Sequence, residues 1–119
     1  MKVLKFGGSS VGTAQAIKNV CRIVAGTPHP AIVVVSALGG VTDQLIRLTH
    51  MAAKGDTHYI TEFDALTERH HQMVADVIAA EKQARLIASL DVLLAELRSI
   101  LHGVCLIQDL TAKTSDAIV

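Results

Sequence analysis

Lys5, Gly7, Gly8, Ser9 and Ser10 stand together where a short apolar run, Val3 to Phe6, gives way to a turn and then to a helical pattern. Those residue types in that order suit an anion. A glycine pair can take backbone angles closed to other residues and has no side chain to hold an anion away, so its N–H groups can face one directly. The serines add hydroxyl donors, and a helix opening after the turn offers the positive end of its dipole. Lys5 adds a full charge, and charge-assisted contacts are about twice as strong as neutral ones. The chemistry implied is phosphate binding.

Two better-known phosphate motifs do not match. Gly7 and Gly12 have the glycine spacing of a P-loop, but Thr13 occupies the position of its lysine. No glycine triplet has the Gly-x-Gly-x-x-Gly spacing of the dinucleotide fingerprint. The cation is therefore supplied by the strand and not by the loop. A second small-residue stretch, Ser36-Ala-Leu-Gly-Gly-Val-Thr-Asp, also follows an apolar run and leads into a helical pattern. There Thr42 is expected as N-cap, with Asp43 in the first turn, and Val41 and Ile46 have the spacing of a hydrophobic staple.

The elements that must position these loops read β-α-β-α. From Thr13 to about Ala25, Ile17, Val20, Cys21 and Val24 make one helical stripe after the first loop. Ala31 to Val35 is apolar without alternation, as for a strand covered on both faces of a parallel sheet. Both loops then lie at the carboxyl ends of neighbouring parallel strands, the edge where open α/β sheets bind ligands. Lys54-Gly55 closes the next helix. From Thr57 to Leu101 the pattern is all helical, two long stripes turning near Ala79 to Lys82 into an antiparallel hairpin beside the sheet. His102-Gly103 is expected to end it. Short helices follow, the last beginning at Thr111-Ala-Lys-Thr-Ser-Asp and closing on Ala117-Ile-Val. The divisions are thus 1–56 for the two loops, 57–102 for the hairpin and 103–119 for the approach to a remainder. Two strands rarely support an independent sheet, so the chain reads as the N-terminal portion of a larger fold.

Composition narrows the class. Eleven basic and eleven acidic side chains balance, and one Tyr, two Phe and no Trp leave few stacking platforms, which argues against a nucleic-acid partner. The longest apolar run, Ala31 to Val35, is far below the roughly 20 residues of a membrane span. The start has no signal-peptide pattern, and Cys21 and Cys105 lack metal-ligand spacing, so both are expected as reduced core residues of a cytoplasmic protein. No metal site is expected. His70 and His71 point about 100° apart on a helix and read as solvated or core-edge residues, and Glu62, Asp64 and Glu68 read as the hairpin's wet face.

Lys5-Phe-Gly-Gly-Ser-Ser-Val resembles the opening signature of aspartate kinases, members of the amino-acid kinase fold. Val33-Val-Val-Ser-Ala-Leu-Gly-Gly-Val-Thr-Asp-Gln-Leu is similar to the second loop of that family, and Leu110 to Val119 resembles the approach to its Gly-Glu element. The second loop and the last twenty residues look most like bifunctional aspartokinase/homoserine dehydrogenases. The resemblance implies the N-terminal portion of a three-layer α/β/α fold and transfer of the γ-phosphoryl group of Mg-ATP to the β-carboxylate of L-aspartate, within a homo-oligomer. It implies that Lys5 contacts the ATP phosphates and stabilises the transferring group, with Gly7, Gly8 and Ser9 as its cradle. It implies that Ser36 and Thr42 approach aspartate and that Gly39 and Gly40 allow that approach. No general base is needed, since a carboxylate is already ionised at neutral pH. On the same resemblance, the purine pocket and a second acidic residue belong further along, so the chain by itself is expected to be inactive. The alternatives are a kinase of the same fold acting on glutamate, N-acetylglutamate, carbamate or a nucleoside monophosphate, or a non-catalytic anion-binding and oligomerisation module.

Overall fold

The computed structural model describes the backbone of residues 1–118 and the side chains of all of these but Ala112 and residues 114–118. The expected closing stretch Thr114 to Val119 therefore falls outside the described side chains, and Val119 outside the description altogether. The fold is α/β, with a parallel strand pair followed by helices. Strand β1, Lys2–Phe6, pairs with β2, Ala31–Val35, in a register that sets Lys5 opposite Val34 and Phe6 opposite Val35. The Ser36 amide donates to the Phe6 carbonyl at 3.1 Å, carrying the ladder into the second loop. Between the strands runs helix α1, Ala14–Ala25.

The first helix begins where the apolar stripe places it, directly after Thr13, whose hydroxyl accepts from the Ala16 amide at 3.1 Å, and Gly8–Val11 adds a short 3-10 turn before it. Threonine in extended backbone just before a helix is a favoured cap. In the second loop the cap differs from expectation. Helix α2, Val41–Ala53, starts from Gly40 in the left-handed conformation, so Thr42 lies inside the first turn and caps nothing. Val41 becomes the first helical residue and is 4% exposed, while Ile46 is 53% exposed, so the expected staple is absent. The other end follows expectation, with Lys54 as C-cap and Gly55 at φ 73°.

Helix α3, Tyr59–Val77, and helix α4, Ala80–Ile118, form the antiparallel hairpin. Gln83 fastens their turn by donating to the carbonyls of Ile78 at 2.8 Å and Ala75 at 3.3 Å, which supplies donors to a helix end that would lack them. The expected break at His102-Gly103 does not occur, and α4 runs on unbroken. An interior glycine costs about 1 kcal/mol against alanine. Leu101 and Cys105, four residues apart on one face, are 3% and 6% exposed, and burying such a pair offsets that cost.

The core also lies elsewhere than the β-α-β pattern suggests. Val41, Leu48 and Ala52 of α2, Tyr59, Phe63 and Leu66 of α3 (Tyr59 its first residue), and Leu94, Leu101 and Cys105 of α4 form one buried cluster. The hairpin therefore supplies six of these nine residues and is not an appendage. In contrast, Ile32 to Val35 are 40–56% exposed, so the described residues do not give β2 the expected covering on both faces. Cys21 is exposed, against expectation, whereas Cys105 is buried as expected, and both thiols are free. His70 donates from Nδ1 to the Leu66 carbonyl at 2.8 Å, and His71 pairs through Nε2 with Asp91 at 2.6 Å, a link between α3 and α4.

The turn into α3 carries the one clear electrostatic perturbation among the described residues. The Asp56 carboxylate accepts from the His58 amide at 2.9 Å and from its ring Nδ1 at 2.7 Å. First the backbone bond and then the side-chain bond hold the Asp56 carboxyl below its ordinary value. A lowered folded-state pKa gives stability that is complete above the unfolded value, about 3.9, and is lost as the pH falls through the folded one. Urea midpoints measured from pH 7 down to pH 3 are expected to show an acid loss in the native chain that Asp56→Asn reduces. Parallel curves for the two would remove Asp56 from the acid limb.

Candidate functional site

The two glycine loops meet, and they meet backbone to backbone. A Cβ placed on Gly39 would stand 2.9 Å from the Gly8 carbonyl oxygen and 3.3 Å from Gly12 Cα. A Cβ on Gly8 would in turn stand 3.6 Å from Gly39 Cα and 3.7 Å from the Ser36 hydroxyl. The contact at Gly39 thus leaves no room for a side chain, which gives this glycine a reason independent of any ligand. Gly40 has a different one, since its φ of 83° is a conformation L side chains rarely adopt.

Gly7 contrasts with both. Its backbone is extended, at φ −81° and ψ −178°, and a Cβ there would meet nothing within 4 Å. The glycine pair therefore does not occupy angles closed to other residues, contrary to expectation. What Gly7 contributes is open space above the end of β1. Its carbonyl accepts from the Ser10 amide at 3.0 Å, closing the 3-10 turn. Ser9 and Lys5 are both exposed beside it. Ser36 donates its hydroxyl to the Ala37 carbonyl at 2.8 Å, so this side chain is held at the loop junction. Thr42 is exposed in the first turn of α2.

The helix dipoles are arranged differently from expectation as well. The start of α1 has its cap in Thr13, whereas no described side chain caps α2. The uncapped amides and positive dipole end thus belong to the second loop, where they favour an anionic group. The sequence-derived residues consequently divide into two halves that touch. Lys5, Gly7, Gly8 and Ser9 lie on one, and Ser36, Gly39, Gly40 and Thr42 on the other.

One charged residue at this junction carries no sequence signal. Arg69 of α3, half-buried, donates from Nη2 to the Gly12 carbonyl at 3.2 Å, and its Nη1 lies 3.9 Å from where a Gly40 Cβ would stand. The partners are 57 residues apart, and within Glu68-Arg-His-His it reads as one more charge on a helix. No group of His, Cys, Asp and Glu among the described residues could hold a metal ion, and no described helix is long and apolar enough to cross a membrane.

A family model described as the amino acid kinase family matches residues 1–115. The chain belongs to the amino acid kinase family. Among curated proteins it is 34% identical, over 98% of its length, to the chloroplastic bifunctional aspartokinase/homoserine dehydrogenase 1 of Zea mays. It is 44% identical over 63% of its length to an aspartokinase of Chlamydia trachomatis, and 30% identical over 98% to the chloroplastic aspartokinase 2 of Arabidopsis thaliana. The chain spans 13%, 16% and 21% of the lengths of these relatives. In this amino acid kinase chain the match takes in both glycine loops and the hairpin.

The loop contact can be checked by stability alone. Gly39→Ala must push backbone against backbone, and overpacking of this kind costs about 1–3 kcal/mol. Gly7→Ala meets open space at an ordinary φ and should leave thermal unfolding unchanged. Equal melting temperatures for Gly39→Ala and the native chain would show that the loops do not approach as described.

Proposed function

We propose that this chain is the N-terminal part of an aspartate kinase, in which the ATP γ-phosphoryl group passes to the β-carboxylate of L-aspartate. The observation that carries the reading is the contact of two dissimilar glycine loops at the carboxyl ends of parallel β1 and β2. One has a strand cation and open backbone beside it, and the other an uncapped helix start. A phosphoryl donor and an anionic acceptor need two such half-sites side by side. Support also comes from the relatives, which are named as aspartokinases or as bifunctional enzymes containing one.

In this reading Lys5 neutralises charge on the phosphoryl group in flight, and Gly7, Gly8 and Ser9 direct donors at the phosphates. Ser36 and Thr42 address the acceptor, while Gly39 and Gly40 keep its loop close to the donor. Catalysis is then positioning and electrostatic stabilisation, because a loose phosphoryl transition state asks for little covalent help. Magnesium enters as part of the Mg-ATP substrate. Two further parts of the proposal rest on features outside the two loops. The free thiols suit a reducing, cytoplasmic setting, and the apolar exposure along β2 and α4 suits a homo-oligomer.

The test uses the protein as its gene encodes it, in an assay of aspartate-dependent ADP release. Lys5→Ala is expected to lower kcat by about 10²–10³, the usual loss for one preorganised charge-stabilising group, with a much smaller effect on the KM for aspartate. An unchanged kcat would take Lys5 out of the chemistry.

Thr42→Val separates the half-sites. It should raise the KM for aspartate while leaving that for ATP nearly unchanged. Because Thr42 caps nothing, thermal unfolding should stay close to that of the native protein. Equal losses for both substrates in a fully folded variant would count against the assignment.

A further inference from the structure

We propose that Arg69 is a positioning residue of the two-loop site, through which the helical hairpin sets how the phosphate loop and the acceptor loop sit against each other. The inference rests on the phosphoryl-transfer reading above and extends it to an element in which the sequence shows no chemistry.

Gly12 is the meeting point. It ends the 3-10 turn of the first loop, its Cα lies 3.3 Å from where a Gly39 Cβ would stand, and its carbonyl accepts from Arg69 Nη2 at 3.2 Å. The other terminal nitrogen of the same guanidinium lies beside Gly40, 3.9 Å from where its Cβ would stand, at the left-handed residue that starts α2. One planar cation therefore stands against both loops. Arginine suits that task because its donors are held in a rigid fork, whereas a lysine ammonium is a single point on a flexible stem.

The fork is itself held in place. Arg69 lies on α3 between Leu66 and Val74, which are 2% and 8% exposed, so core burial fixes the backbone that carries it. Packing of α3 against α2 and α4 is thereby converted into a fixed separation between the loops. Position matters at such a junction, since a displacement of about 1 Å in a reacting group can cost about 10²-fold in rate. The Arg47–Glu62 pair, 3.1 Å apart and more exposed, also joins α2 to α3 but touches neither loop, which makes it a control for general docking of the hairpin.

The experiment compares the native protein, as its gene encodes it, with Arg69→Gln, Arg69→Lys and Arg47→Gln. Amide hydrogen exchange is followed at residues 8–12 and 39–42, beside steady-state kinetics. For Arg69→Gln both loops should exchange at least about tenfold faster with α3 and α4 unchanged, and kcat should fall by up to about 10²-fold. Arg69→Lys, which can still reach the Gly12 carbonyl, should recover part of the loss, and Arg47→Gln should alter neither loop. Loop exchange unaffected by Arg69→Gln would overturn the proposal. So would faster exchange spread equally through the hairpin, or loosened loops with an undiminished kcat in an active protein. If the native protein turns over no aspartate, the aspartate-kinase reading falls, and the exchange at the two loops still decides whether Arg69 positions them.

Discussion

The constraint on which the site depends is steric: the first loop comes so near to Gly39 that a methyl group there would stand 2.9 Å from the Gly8 carbonyl oxygen. Everything around the site follows from that approach. It requires β1 and β2 to end in register, which the Phe6 and Val35 pairing and the Ser36 amide provide. It requires the second loop to turn sharply afterwards, which Gly40 does by entering the left-handed region. It also sets Gly12 against Gly39, and the carbonyl of that same Gly12 accepts from Arg69. Gly39 and Gly40 are structural first, and a ligand would meet loops already closed on each other.

Much of this was legible in the residues because the signals were local. A glycine pair after an apolar run, twice, announces two βα loops, and parallel pairing then brings them to one edge without further information. What local pattern could not settle was the start of the second helix. Thr13 and Thr42 are equally good caps by residue type, yet only Thr13 has the extended backbone the role needs. At the second loop Gly40 reached the required turn first, which drew Val41 into the helix and buried it. Arg69 was illegible for a different reason. Its contact depends on how α3 packs, and nothing within a helix reports what stands beside it 57 residues earlier.

The distribution of burial separates the chain into two regimes. The α2, α3 and α4 cluster excludes solvent from Leu48 and Leu66 almost wholly, whereas the strand pair keeps much of its valine and isoleucine surface open. The site sits at the boundary, its loops attached on one side to an exposed sheet and on the other to a buried helical core. Of the two supports of the loops, the hairpin side is the more deeply buried. That burial explains how Gly103 persists within a helix, since the residues flanking it belong to the well-packed regime.

The uninterrupted course of α4 has a geometrical corollary. Leu86, Leu93, Ile100 and Ile107 recur every seven residues and are 40–64% exposed. An α-helix needs 3.6 residues per turn, so positions seven apart slip by about 20° each time. The four side chains therefore do not form a straight ridge. They trace a shallow left-handed spiral about 32 Å long, at about 1.5 Å per residue. Any straight element laid along it would lose the line within a few turns. A surface able to follow all four residues would have to wind with them, and the pitch of that winding is already written into the spacing of the apolar residues.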